Sequence, residues 1–212
     1  MITVKSFEFN YFSVNTYLLH DETSEAVLID CGCFRKEEEQ ELSDYVTANR
    51  LTIKHLLCTH LHLDHVFGNE FVNNVYGLRP KAHRADVETL PSSQEQARLF
   101  GLQDRVKTIP VERYIVGNEV ITFGNSELIA LLVPGHSPGS LAFYNKKYAF
   151  AIVGDAIFNG SIGRTDLWGG NQEVLIAALR DKILSLPDET ILYPGHGPET
   201  NVIKESLNNP FL

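Results

Sequence analysis

The segment Thr59-His-Leu-His-Leu-Asp-His-Val66 packs three histidines and an aspartate into six positions, directly after the apolar run at residues 53–58. No other feature limits the fold as strongly. A short apolar run bounded by polar residues reads as a buried strand. Its end must then be a loop that carries His60, His62, Asp64 and His65 to the edge of a core. Desolvating four neighbouring titratable groups is costly unless a cation compensates them. The fold therefore has to collect cation ligands at a strand end.

Three other apolar runs end in the same way. Val133-Pro-Gly-His136 and Tyr193-Pro-Gly-His196 close on histidine, and Ile152-Val-Gly-Asp155 closes on aspartate. Pro-Gly before a histidine makes a tight turn that aims the imidazole, and loops leaving strand ends are the usual place for reactive groups. Taken singly, a Pro-Gly-His or a Gly-Asp is a weak signal, whereas the His-x-His-x-Asp-His cluster is a strong one. Together they give seven candidate ligands: His60, His62, Asp64, His65, His136, Asp155 and His196. Seven exceed the four of one tetrahedral zinc. They suit two metals that share a carboxylate and keep a position open for water. Imidazole and carboxylate without thiolate accept Zn, Fe or Mn. His20, His55 and His83 follow no pattern and read as ordinary surface or core residues.

The rest of the chain supplies a scaffold for such a site. Residues 2–9, 16–20 and 26–29 read as an antiparallel meander, followed by an amphipathic helix over 36–49. After the strand at 53–58, residues 66–75 read as one helix stopped by Gly77. The segment 80–101 suggests a short strand and some helical turns bordering the pocket. Strands are predicted at 120–123, 128–133, 141–144, 149–153 and 190–193. A helix is predicted over 173–186, with Val174, Leu175, Ala178, Leu179, Ile183 and Leu186 on its apolar side. The second half thus repeats the logic of the first, which suggests two sheets packed face to face with helices outside.

Composition excludes several function classes. At 212 residues with 43% hydrophobic and 21% charged side chains, the chain has enough apolar content for a substantial core. A formal net charge of −9 without a basic stripe argues against nucleic-acid binding. No apolar run approaches membrane-spanning length. Three cysteines are too few for a disulfide scaffold, and Cys31-x-Cys33 lacks the second pair of a structural zinc site. With no leader-like start, the expected compartment is the cytoplasm.

His60-Leu-His-Leu-Asp-His65, followed by Pro-Gly-His136, Gly-Asp155 and Pro-Gly-His196, resembles the metallo-β-lactamase superfamily in order and spacing over nearly the whole chain. The segment 154–166 and the tail from Gly195 are similar to its glyoxalase II-like branch, in its short single-domain form. The resemblance implies an α+β fold, a four-layer αβ/βα sandwich of two mixed sheets with outer helices. It implies one domain over residues 1–212, without the C-terminal helical domain of full-length glyoxalase II. His60, His62 and His136 would hold the first metal, Asp64, His65 and His196 the second, and Asp155 would bridge them. The expected cofactors are two divalent ions, zinc first, with Fe or Mn open. Best-known lactamases carry cysteine at the Asp155 position, which counts against lactam hydrolysis.

A small-molecule thioester such as S-lactoylglutathione is the expected substrate, with no nucleic acid or membrane as partner. A thiolate leaving group, of conjugate pKa about 8.5, needs no dedicated proton donor. Asp64 would orient the attacking water or accept its proton. Arg164 stands nine positions after Asp155, where the family places a cation for a glutathione carboxylate, or it pairs with Asp166 instead. The family's usual tyrosines are replaced by Asp166 and Pro198. Two other readings stay open: a mononuclear iron persulfide dioxygenase, and a non-catalytic metal-binding scaffold.

Overall fold

A computed structural model describes residues 1–212. The first half runs β1 (Thr3–Phe9), β2 (Val14–His20), β3 (Glu25–Ile29), α1 (Lys36–Ala48), β4 (Thr52–Leu57), α2 (Leu63–Val66) and α3 (Asn69–Tyr76). Then come β5 (Pro80–Ala82), α4 (Arg84–Thr89), α5 (Ser93–Arg98) and β6 (Arg113–Tyr114). The second half runs β7 (Val120–Phe123), β8 (Ser126–Leu132), β9 (Leu141–Asn145), β10 (Phe150–Gly154) and the small hairpin β11 (Ile157–Phe158) and β12 (Ser161–Ile162). It closes with α6 (Gln172–Ala178), β13 (Ile191–Pro194), β14 (Thr200–Asn201) and α7 (Val202–Asn208).

Strands β1 to β6 form one six-stranded sheet in chain order. The other six-stranded sheet has the order β14-β13-β10-β9-β8-β7. Each contains an antiparallel meander that passes through a helix into a parallel neighbour: β3 pairs parallel with β4 across α1, and β10 with β13 across α6. Strand alternation decides which side chain enters which layer. In β3, Val27 and Ile29 face the opposite sheet, while Ala26 and Leu28 face the helical layer. In β10, Phe150 and Ile152 face inward, while Ala151 and Val153 meet the layer of α6. Both faces of these central strands are covered, so their sequences are continuously apolar rather than alternating. The result is the four-layer α+β sandwich expected from the sequence.

Two predicted helices are interrupted. The helix expected over 66–75 breaks at Phe67–Gly68, giving α2 and α3. Gly68 lies against the thiols of Cys31 and Cys33, where a Cβ would overlap both sulfurs. Its N–H donates to the Cys31 carbonyl at 2.8 Å. The Cys-x-Cys pair is thus a packing surface: both thiols are free and fully buried. The helix expected over 173–186 ends its α-helical part at Ala178 and continues as a wider turn over Leu179–Ile183. That turn keeps Leu179 and Ile183 in the core beneath the second sheet. The sequence reading missed β6, the β11–β12 hairpin, β14 and α7.

Topology brings the C-terminal ends of β3 and β4 in one sheet, and of β8, β10 and β13 in the other, to the same side of the sandwich. Cross-sheet bonds fasten that edge: Leu141 N donates to Thr59 O, and Asn15 N to Gly195 O, both at 2.7 Å. No helix is long and apolar enough to cross a membrane.

Candidate metal centre

All seven candidate ligands meet at this edge. His60 and His62 follow β4, Asp64 and His65 lie on α2, His136 follows β8, Asp155 follows β10 and His196 follows β13. His60, His62 and His136 form one group of converging ligand atoms, and Asp64, His65 and His196 form another. Within the first, His62 Nδ1 lies 2.8 Å and His60 Nε2 3.1 Å from His136 Nε2. In the second, His196 Nε2 is 3.1 Å from Asp64 Oδ2, with His65 Nε2 at 3.6 Å. Asp155 lies between them. Its Oδ1 is 3.3 Å from His65 Nε2, and its Oδ2 is 3.5 Å from His196 Nε2 and 3.7 Å from His136 Nε2.

The outer nitrogens of four histidines fix which atom each presents. His136 Nδ1 donates to the Arg164 carbonyl at 2.7 Å, and His196 Nδ1 to the Phe12 carbonyl at 3.0 Å. His65 Nδ1 donates to Asp30 Oδ2 at 3.0 Å. Thr59 Oγ1 donates to Asp30 Oδ2 at 2.6 Å, so it accepts from His60 Nδ1 at 3.0 Å. Each of these rings therefore turns an Nε2 lone pair inward, the orientation that a bonded outer N–H gives a metal-ligating histidine. His60 and His136 point two lone pairs at one spot with no proton between them. Nothing in the protein partners His65 Nε2 or Asp155 Oδ1 by hydrogen bonding. This donor set repels itself unless cations lie among its atoms, so the residues fit divalent metal ions.

Electrostatics agree. Burial and neighbouring rings hold His60 and His136 below the ordinary histidine range, and burial with His136 lowers His62 to about 3. These three are neutral, as metal ligands must be. Burial opposes charge on His65 too, but Asp155 and Asp64 outweigh it and raise its pKa. Asp155 is lowered against its burial by His65, and Asp64 likewise. The first group is therefore charge-poor, whereas the second sets two imidazoles among carboxylates that raise their pKa.

Glycine explains the Pro-Gly-His turns. At Gly135 the backbone has φ +130 and passes so close to Leu175 of α6 that a Cβ would overlap it. At Gly195 a Cβ would overlap the Asp155 carboxylate.

Three positioning residues escaped the sequence reading. Asp30, directly after β3, holds Thr59 and His65. It occupies in the first half the place of Asp155 after β10, so the internal repeat was the signal that could have found it. Asp86 on α4 is buried and joins two ligand loops. Its Oδ2 accepts from Leu61 N at 3.1 Å and Ser137 Oγ at 2.9 Å, and its Oδ1 from Gly139 N at 2.6 Å. Gln96 on α5 accepts from Leu63 N at 3.0 Å and donates to Leu61 O at 2.9 Å. The hard-to-read segment 80–101 thus clamps the His-x-His loop. No motif announces Asp86 or Gln96.

Above the ligands lies an open cavity of about 300 Å³ that reaches Asp64, Asp155 and His196. Arg164 is on its wall. Its Nε and Nη2 each donate at 2.7 Å to the two oxygens of Asp166, so the ion pair considered from sequence is formed.

The metallo-beta-lactamase superfamily model matches residues 10–196, and the chain belongs to that superfamily. "Probable metallo-hydrolase YqgX" of Bacillus subtilis is 36% identical, covering 93% of this chain and 92% of the relative. "Hydroxyacylglutathione hydrolase GloC" of Haemophilus influenzae is 34% identical, covering 95% and 93%. Among solved structures, BLEG-1 B3 metallo-beta-lactamase superposes with a TM-score of 0.88 at 32% identity over 99% of both chains. TTHA1623 in a di-iron-bound form gives 0.85 at 34% identity over 99% of this chain and 100% of the other.

Proposed function

We propose that the chain is a dinuclear metal-dependent hydrolase of small thioesters of the S-lactoylglutathione type. The observation that carries this reading is the convergence of two ligand groups on Asp155. His60, His62 and His136 would hold one ion, Asp64, His65 and His196 the other, and Asp155 would serve both. When bound, such ions lower the pKa of water towards neutrality and polarise a carbonyl. The relative named as a hydroxyacylglutathione hydrolase and the neighbour solved with two irons support it.

The chain's own residues favour a thioester over an amide. Asp64 is ionised at neutral pH and lines the cavity, so it can accept the proton of the attacking water. Neither Lys, Tyr, Cys nor Ser lines the cavity. An amine leaving group would need such a proton donor, whereas a thiolate departs without one.

The test is thiol release from S-lactoylglutathione by protein reconstituted with zinc, iron or manganese. Metal-dependent turnover that Asp155→Ala abolishes is expected. Hydrolysis of a chromogenic cephalosporin without thiol release from any thioester would overturn the reading. Dioxygen uptake with glutathione persulfide by protein holding one iron would overturn it in favour of the dioxygenase.

A further inference from the structure

The mouth of the cavity is apolar in a way the core does not require. Phe12 is 39% exposed, Leu99 69% and Phe100 54%, yet all three line the same opening above the ligands. Phe12 meets Phe100 edge to face, with ring centroids 5.4 Å apart. Leu167 and Trp168 line the same cavity, and the Trp168 ring lies 6.2 Å from that of His62. Scattered exposed apolar side chains need no explanation, but a cluster that rims a polar centre marks a binding surface. These residues come from three separate segments: the turn after β1, the end of α5 and the loop before α6.

The polar side of the cavity offers little to a charged ligand. Arg164 is the one Lys or Arg on the wall, and the Nε–Nη2 edge of its guanidinium is occupied by Asp166. A ligand carboxylate entering here meets a guanidinium whose Nε–Nη2 edge is already taken and whose charge Asp166 offsets.

We propose that Phe12, Leu99, Phe100, Leu167 and Trp168 select the substrate by receiving an apolar group next to the reacting carbonyl, and that no carboxylate of the thiol half is recognised. The favoured substrates are then thioesters of medium-length aliphatic or aromatic acids, with S-lactoylglutathione turned over but not preferred. The inference rests on the thioesterase reading above for the reaction, but not for the binding. A fully buried methylene contributes about 0.8 kcal/mol, roughly fourfold in affinity. At a mouth this open, roughly twofold per methylene is expected, hence on the order of tenfold from butanoyl to octanoyl.

Two readouts separate the claims. Trp168 is the single tryptophan of the chain, so its fluorescence reports binding at the mouth directly. Metal-loaded protein is titrated with S-methyl, S-butyl and S-octyl thioethers of N-acetylcysteamine and of glutathione, which bind without being cleaved. The acyl thioesters of both thiols are then assayed for thiol release. Affinity and kcat/KM should rise with chain length and agree within about threefold between the two thiols. Phe100→Ala should erase most of the advantage of the octyl over the methyl compound. Its exposure means the fold is not at stake. If the thioethers bind in this pattern but no thioester is cleaved, the thioesterase reading fails and the apolar mouth stands. Cleavage and Trp168 response independent of chain length would overturn the apolar mouth. A tenfold preference for glutathione over N-acetylcysteamine would overturn the absence of carboxylate recognition.

Discussion

Asp86→Asn isolates the clamp between the two loops that carry His60, His62 and His136. In the native protein the carboxylate accepts three hydrogen bonds, two on Oδ2 and one on Oδ1. The amide keeps one acceptor oxygen and gains a donor. With its oxygen placed at Oδ2, its NH2 faces the Gly139 N–H, and with the flip it faces the Leu61 N–H. Either orientation opposes two donors in a buried site, at about 1–3 kcal/mol. Ser137 can adapt, because its hydroxyl also lies 2.8 Å from Ser140 Oγ. The substitution also relieves the burial of a charge, the cause that raises the Asp86 pKa. A net loss of about 2 kcal/mol is expected. If the lost bonds hold the ligand loops in place, that is roughly a 30-fold loss in metal affinity, within the range seen when a group that orients metal ligands is removed. The Tm of a chain this size should fall by about 4–8 °C. Zinc competition with a chromophoric chelator and thermal melts read both quantities. Glu88→Gln on the same helix, in an exposed pair with Arg84, is the control and should change neither. A variant that loses stability but binds zinc within twofold of the parent refutes the clamp.

Three further outcomes follow from the same geometry. Gly195→Ala should abolish metal binding at the Asp155 side, because the added methyl overlaps that carboxylate; far-UV circular dichroism should stay native while the metal-to-chain ratio drops. Asp21 joins the turn after β2 to Asn125 and Ser126 of the opposite sheet, and its bonds from Thr23 first, then from Ser126 and Asn125, hold its carboxyl at about 2 against its burial. A lowered acid pKa stabilises above the unfolded value and loses that contribution as pH falls. Asp21→Asn should therefore cost about 1–2 kcal/mol at pH 7 and become neutral as pH drops from about 4 to 2, read by urea melts. Stripping metal with a chelator should lower Tm by about 5–10 °C relative to protein at 100-fold the Kd, an affinity term of about 2.7 kcal/mol. An unchanged Tm would mean the converging lone pairs are no strain on the fold.

Much of this was legible because strand ends carry their own punctuation. Pro-Gly-His and Gly-Asp mark where a buried strand must turn out, and those turns proved to share one edge of the sandwich. The four layers followed from runs such as residues 26–29 and 149–153, apolar on both faces. What the sequence withheld was long-range. The break at Gly68 depends on Cys31 and Cys33, 35 or more residues away in sequence. Asp86 and Gln96 look like ordinary helix residues until folding sets them against Leu61 and Leu63. Phe12, Leu99 and Phe100 lie in segments with no shared periodicity, so only the tertiary structure makes them one surface.

Metal content against chain concentration, on protein expressed without added metal, tests the dinuclear claim most directly. About two ions per chain, falling in Asp155→Ala, are expected. One iron per chain, with no second ion bound on titration, would contradict it.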